Sequence, residues 1–186
     1  MEYSNRNCIV WIDMELTGLD IEKDTILEIA CVITDQNLKM VGKEFNTVIN
    51  QPDAILKNMN EWNTNSHNKS GLVQESRSSK ISLKDAEQLL LSFLKQYISK
   101  NVCPLSGNTV YMDRIFLIKH MPLVNDYLHY RIIDVSSIKE LVRRWNPQVY
   151  ANQPKKQLCH RALADIRESI EELRYYKENI FIPFSN

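Results

Sequence analysis

The chain has no surplus of either charge: lysine plus arginine and aspartate plus glutamate both total 23 in 186 residues, for a formal net charge of zero. That balance argues against a protein that coats long nucleic acid by bulk electrostatics, so a nucleic-acid partner should be short or held locally. There is no C-x-x-C pair either. Cys8, Cys31, Cys103 and Cys159 are widely separated, which excludes the common zinc and dithiol motifs and leaves reduced, mostly buried thiols as the expectation. No apolar run approaches the roughly 20 residues that span a bilayer. The opening MEYSNRN lacks the apolar core of a secretory signal. A soluble, intracellular protein with no membrane partner is expected. Internal repeats, low-complexity tracts and linkers are missing as well. With 44% hydrophobic residues, the length suits one domain over residues 1–186, its core over about 8–180 and a short tail over 181–186.

What is present begins with apolar, β-branched runs. Residues 8–14 (CIVWIDM), 25–34 (TILEIACVIT) and 44–50 read as three strands of an opening meander. From Leu83 to Ile98, Leu83, Ala86, Leu90, Phe93, Leu94 and Tyr97 recur at helical spacing behind a capping-box start, Ser82-x-x-Asp85. A buried strand over 102–105 leads through Ser106-Gly107-Asn108 to a helix over 110–120, for which Thr109 is the candidate cap. A strand over 131–135 then enters a helix through Ser137-x-x-Glu140, which ends at Trp145-Asn146-Pro147. Residues 151–157 read as a polar loop, residues 162–177 as a last amphipathic helix, and 180–184 as an apolar tail. A meander followed by strand–helix alternation predicts an α/β fold, a mixed sheet with helices on its faces.

On that frame Asp13 and Glu15, two apart in a strand, project from one face and can reach one cation. A lone D-x-E is common and is usually a polar strand end. Here the flanking CIVWI is apolar, so two anionic groups need a cation or hydrogen-bond donors to offset desolvation. Asp113 falls in the first turns of a helix, where the dipole tolerates a carboxylate; alone it is an ordinary surface acid. His160 and Asp165 are five residues apart, roughly 140° on a regular helix, so they share no face if both are helical. They can act together if His160 sits in the preceding loop and swings over the site. Four carboxylates and a histidine suit hydrolysis of a phosphodiester by two Mg²⁺ or Mn²⁺ ions, with His160 as general base. Cys159 could suggest a thiol nucleophile, but sequence neighbours point apart and no oxyanion-forming loop is evident.

Four segments, W11-I-D-M-E-L-T-G-L-D20, G107-N-T-V-Y-M-D-R-I-F116, H129-Y-R-I-I-D-V-S-S-I-K-E-L141 and H160-R-A-L-A-D-I-R-E-S169, together resemble the oligoribonuclease family of DEDDh 3′-to-5′ exonucleases. Wording such as IEKDTILEIA and HYRIIDVSS looks closer to the eukaryotic small-fragment RNA exonucleases than to bacterial ones. The resemblance runs from about Val10 to Ile180 and implies an RNase H-like fold with a five-stranded mixed sheet. It implies release of 5′-mononucleotides from short RNA oligonucleotides, dinucleotides above all, by a homodimer in the cytoplasm, the mitochondrion or both. By the same resemblance Asp13, Glu15, Asp113 and Asp165 bind the metal ions and His160 is the base. Leu19 becomes a wedge between bases, and Trp62 and His67 contact the 3′ nucleotide. Thr109, Arg131, Ser136 and Ser137 match the cap on the 5′ phosphate, with Tyr130 and Arg131 contributed by the other subunit.

Residue by residue these assignments have plainer alternatives. Ser137 is an ordinary helix cap, Leu19 a turn hydrophobe, and Trp62 an anchor of a helix against the sheet. The chain departs from the family pattern at Ala164, where a second acid usually precedes the metal-binding aspartate, and by an exchange of Ser and Thr at 109 and 137. Two other functions stay open at this stage: an exonuclease acting on longer RNA or on DNA, and an inert RNA-binding protein that keeps the fold.

Overall fold

A computed structural model of the chain describes residues 7–157 and 159–181. The five strands are β1 (Ile9–Leu16), β2 (Ile26–Thr34), β3 (Phe45–Val48), β4 (Pro104–Gly107) and β5 (His129–Asp134), joined in one sheet in the order β3-β2-β1-β4-β5. The short connections between β1, β2 and β3 make antiparallel pairs, while β4 and β5, each reached through helices, run parallel to β1. This is the expected α/β fold with a mixed sheet.

Nine helices among the described residues flank the sheet: α1 (Asp53–Leu56), α2 (Glu61–Lys69), α3 (Leu72–Ser78), α4 (Leu83–Tyr97), α5 (Tyr111–His120), α6 (Pro122–Asn125), α7 (Val135–Trp145), α8 (Pro147–Ala151) and α9 (Ala162–Asn179). The alternation of β1 divides them between two cores. Val10, Ile12 and Met14 face Leu90 and Leu94 of α4 and Phe116 of α5. Trp11 on the opposite side joins Val142 of α7 with Ile166, Ile170 and Leu173 of α9. Asp13 and Glu15 continue the Trp11 series, so the carboxylates emerge on the α9 face. Every residue of β2 is buried, which accounts for its unbroken apolar run and makes Glu28, within it, an exception that needs a partner.

The capping box of α4 forms as its sequence implies, with Ser82 Oγ accepting from the Asp85 N–H at 3.1 Å and the Asp85 carboxylate from the Ser82 N–H at 3.3 Å; such a cap is worth about 1 kcal/mol. Two other expected caps are corrected. Thr109 makes no cap to α5; its backbone is left-handed, φ 53°. The start of α7 is capped by Asp134, whose carboxylate accepts from the Ser136 N–H at 2.9 Å. Helix α7 therefore begins before Ser137, and Glu140 turns to Arg143 and Arg144 instead of closing a box.

Strand β4 takes in Ser106 and Gly107, expected as a turn, and the five short helices α1, α2, α3, α6 and α8 have no counterpart in the sequence reading. The apolar tail at 180–184 lies outside the described residues from 182 onward. Cys8, Cys31 and Cys103 are buried and Cys159 is exposed. Among the described residues no helix is long and apolar enough to cross a membrane.

Candidate active site

Strand β1 and helix α9 converge where the apolar packing of Trp11 ends. There Asp13, Glu15 and Asp165 each offer a carboxylate oxygen, all within 4.8 Å of one another. Asp165 projects from the first turn of α9, its N–H donating to the Arg161 carbonyl at 3.0 Å. Asp113 arrives from the first turn of α5, buried, with the Met14 N–H of β1 and its own N–H donating to its carboxylate. It stands outside the three-carboxylate cluster, but its charge acts on Asp13.

Burial drives the protonation of these groups, and mutual repulsion adds to it. Asp13 is held well above the usual carboxylate range, first by burial and then by the charges of Asp113, Asp165 and Glu15. Glu15 is pushed up to about 8 by burial and by Asp165 and Glu28, and burial also raises Asp113. For Asp165, burial acts first and the charge of Glu168 second. Glu168, one turn further along α9, thus supplies a neighbouring acid where position 164 is Ala. At about 4 Å and an effective dielectric near 20, each pair of ionised carboxylates costs about 4 kcal/mol. A donor set made only of oxygens, and costly to ionise without a counter-charge, fits a hard divalent cation.

His160 lies in the loop before α9 with φ 50°, the arrangement its spacing from Asp165 requires. Its ring stands edge-on to Trp62 of α2, and among the described residues no hydrogen bond joins it to a carboxylate. Trp62 separates two cavities. One of about 500 Å³ is lined by Glu15, Leu19, Trp62 and His67; the other, of about 650 Å³, by Trp62, Lys69, Cys159 and His160. Leu19 is 69% and Trp62 63% exposed, so neither owes its position to core burial.

His67 is 1% exposed. Its Nε2 lies 2.9 Å from the Leu16 carbonyl, which can only accept, so Nε2 carries the proton. Nδ1, 3.7 Å from Glu15, is then a buried acceptor with no hydrogen-bond partner among the described residues. Burial lowers the pKa of the ring and keeps it neutral. A buried acceptor thus faces the carboxylates and needs a donor from outside the protein.

The expected phosphate cap is brought together in part. Thr109 and Ser136 meet: the Thr109 N–H donates to Ser136 Oγ at 3.0 Å and to Asp134 at 3.0 Å, and the two hydroxyls lie 3.1 Å apart. A left-handed φ at a β-branched residue costs about 1–3 kcal/mol and persists only where the surroundings impose it. Ser137 is exposed on α7. Tyr130 and Arg131 sit together on β5, at the edge of the sheet, with the guanidinium 5.5 Å from the Tyr130 ring centre. Neither lines the two cavities beside the carboxylates.

Five charged residues around the site were not foreseen. Buried Glu172 accepts from Lys156 at 3.0 Å, Asn108 at 3.1 Å and Tyr176 at 3.1 Å, with Lys139 at 3.3 Å. The Lys156 charge counters the upward shifts of Asp13 and Asp165. Glu28 pairs with Arg161, the residue after His160. The lone acid in TILEIACVIT was a signal for Glu28; Lys156 in its polar loop offered none.

An exonuclease family model of the RNase T type matches residues 10–173. The chain is 54% identical to a probable oligoribonuclease of Drosophila melanogaster over 173 residues, covering 93% of this chain and 82% of that one. To a probable oligoribonuclease of Dictyostelium discoideum it is 56% identical, over 93% and 90%. The mitochondrial oligoribonuclease of Homo sapiens is 51% identical, over 93% and 73%. Among solved structures, exonuclease I of Methylocaldum szegediense superposes with a TM-score of 0.69 at 16% identity, covering 93% of this chain but 41% of that larger one, and so speaks for the fold alone. With that fold, a carboxylate cluster suited to a divalent cation, and relatives more than half identical along most of its length, the chain belongs to the oligoribonuclease family of RNase T-type exonucleases and is a nuclease.

Proposed function

We propose that the protein hydrolyses short RNA from the 3′ end, dinucleotides above all, releasing 5′-mononucleotides with the help of two divalent cations, Mg²⁺ or Mn²⁺. The observation that carries this reading is the cluster of Asp13, Glu15 and Asp165 within 4.8 Å, opening beside a cavity walled by Leu19 and Trp62. Asp113, buried against β1, completes the set of four. These carboxylates would hold the ions, which when bound would supply counter-charge to the scissile phosphate and lower the pKa of the attacking water. His160 takes the proton from that water; the water oxygen bonds to phosphorus as the bond to the 3′ oxygen breaks, and the leaving oxygen gains a proton.

The cavity walls set what is bound. Leu19 separates two bases, Trp62 stacks on the 3′ base, and His67 Nδ1 accepts from a ribose hydroxyl. Thr109, Ser136 and Ser137 grip the 5′ phosphate, and Tyr130 and Arg131 reach it from the second subunit of a homodimer. Exposure of Tyr130, at 73%, on an edge strand supports that last assignment. The names of the mouse and human relatives, both mitochondrial oligoribonucleases, favour a mitochondrial site of action.

The test is cleavage of 5′-labelled RNAs of graded length, from the dinucleotide upward, with Mn²⁺ or Mg²⁺. The rate is expected to be highest on the dinucleotide. A rate independent of length removes the dinucleotide assignment and leaves the nuclease one; equal cleavage of matching DNA removes the preference for RNA.

A further inference from the structure

Arg161 is the most heavily tied side chain near the site. Its Nε and Nη2 donate to the two oxygens of Glu28 at 3.1 and 3.0 Å, while Nη1 and Nη2 donate to the two oxygens of Glu75 at 3.0 and 2.8 Å. Glu28 is fully buried on β2, directly across the sheet ladder from Glu15. It also accepts from the Ala162 N–H at 3.2 Å and from Asn46 at 3.0 Å. One guanidinium therefore joins β2, α3 and the first residue of α9. A fork with two carboxylates in its plane has a single orientation, which an ammonium cannot copy.

The segment leading to it is fixed upstream as well. Lys156 holds Glu172 at 3.0 Å, and the Gln157 N–H donates to Glu168 at 2.8 Å. Between that anchor and Arg161, His160 bears no hydrogen bond to the body of the protein among the described residues. Its ring meets that of Trp62 at a T-shaped contact. The Cα atoms of His160 and Arg161 are about 3.8 Å apart whatever the loop does, so a fixed Arg161 makes His160 a ring on a short pivot.

We propose that Arg161 is the positioning residue for His160: the Glu28–Arg161–Glu75 clamp fixes the pivot from which the imidazole reaches the attacking water. The proposal rests on His160 being the general base. It goes beyond that reading by assigning the activity of His160 to a clamp built from two other elements. Loss of the clamp costs turnover with little effect on substrate binding, because no clamp residue lines the cavity between Leu19 and Trp62.

A double-mutant cycle with Arg161→Met and His160→Ala tests it on short RNA. Arg161→Met is expected to lower kcat by about 10-fold or more with KM within about 3-fold, and to flatten the limb of the kcat–pH profile that His160→Ala also abolishes. In the His160→Ala background it should cost less than about 2-fold, since the group it positions is gone. Arg161→Lys should recover only part of the loss. If Arg161→Met strands the buried Glu28 charge and fails to fold, Arg161→Met with Glu28→Gln removes both charges and takes its place in the cycle. Full independent loss in the His160→Ala background, or a loss confined to KM, overturns the proposal while leaving His160 as the base. Full activity of His160→Ala overturns both.

Discussion

The imidazole of His160 and the indole of Trp62 meet edge to face, with ring centres 5.3 Å apart and planes at 85°. Trp62 is thus shared between the wall of the cavity that Leu19 and His67 also line and the loop that carries the histidine. Contact of this kind is worth about 0.5–1.5 kcal/mol, enough to park a tethered ring and too little to trap it.

If a base stacks on Trp62 as proposed, the indole is a binding element. Trp62→Ala is expected to raise KM for a dinucleotide by about 5- to 150-fold, the range for about 1–3 kcal/mol of stacking, while Trp62→Phe retains most of the affinity. Steady-state kinetics on both variants decide it. An unchanged KM for Trp62→Ala removes the 3′ base from that wall.

The carboxylates and the histidine separate in a different way. Asp165→Ala removes one of the three clustered carboxylates, so activity and calorimetric Mn²⁺ binding are both expected to disappear. His160→Ala leaves the cluster intact and should lower kcat by about 10²–10⁴-fold with Mn²⁺ binding unchanged. Loss of metal affinity in His160→Ala would make the histidine a ligand.

Much of this layout was legible along the chain because apolar periodicity reports burial. Strands β1 and β2 and helices α4 and α9 were found within a few residues, and the loop position of His160 followed from its angular mismatch with Asp165. Helix α2 escaped because its buried residues are Asn63 and His67: Asn63 donates to the Thr17 carbonyl at 2.8 Å, a polar substitute for the apolar stripe that periodicity detects. The cap of α7 was misplaced because Asp134 is also the last residue of β5, and a strand end does not advertise itself as a helix start. The Arg161–Glu28 pair spans 133 positions, and nothing local to either residue names the other.

Protonation of the cluster makes stability depend on pH in a definite direction. A free glutamate titrates near 4.5, whereas Glu15 in the fold is pushed up to about 8. Between those values the folded chain keeps a proton that the unfolded chain has released. Stability of the metal-free protein therefore falls as pH rises through that window. Added Mn²⁺ replaces the proton as counter-charge, so the increase in Tm it produces should be larger at pH 8 than at pH 5. Thermal melts in buffered EDTA and in Mn²⁺ at both pH values measure this. A metal-induced increase independent of pH would show that the carboxylates are already ionised in the metal-free fold.

Arg131 on the edge strand carries the last prediction. If it grips a terminal 5′ phosphate, Arg131→Ala costs more on a dinucleotide, where that phosphate is always within reach of the cap, than on longer RNA. Equal losses at every length would mean that Arg131 does not touch the terminal phosphate. If the chain forms the proposed homodimer, the absence of Arg131 from the cavities beside the carboxylates implies that it acts on the site of the second subunit, and complementation separates the two cases. Arg131→Ala and Asp165→Ala chains are each defective on the dinucleotide. Unfolded together in equal amounts and refolded, they give half mixed dimers. In each mixed dimer one site combines intact carboxylates with an intact Arg131 from across the interface, so about a quarter of wild-type activity should return. If Arg131 served its own site, every site in the mixture would lack either the arginine or the aspartate, and nothing would be restored.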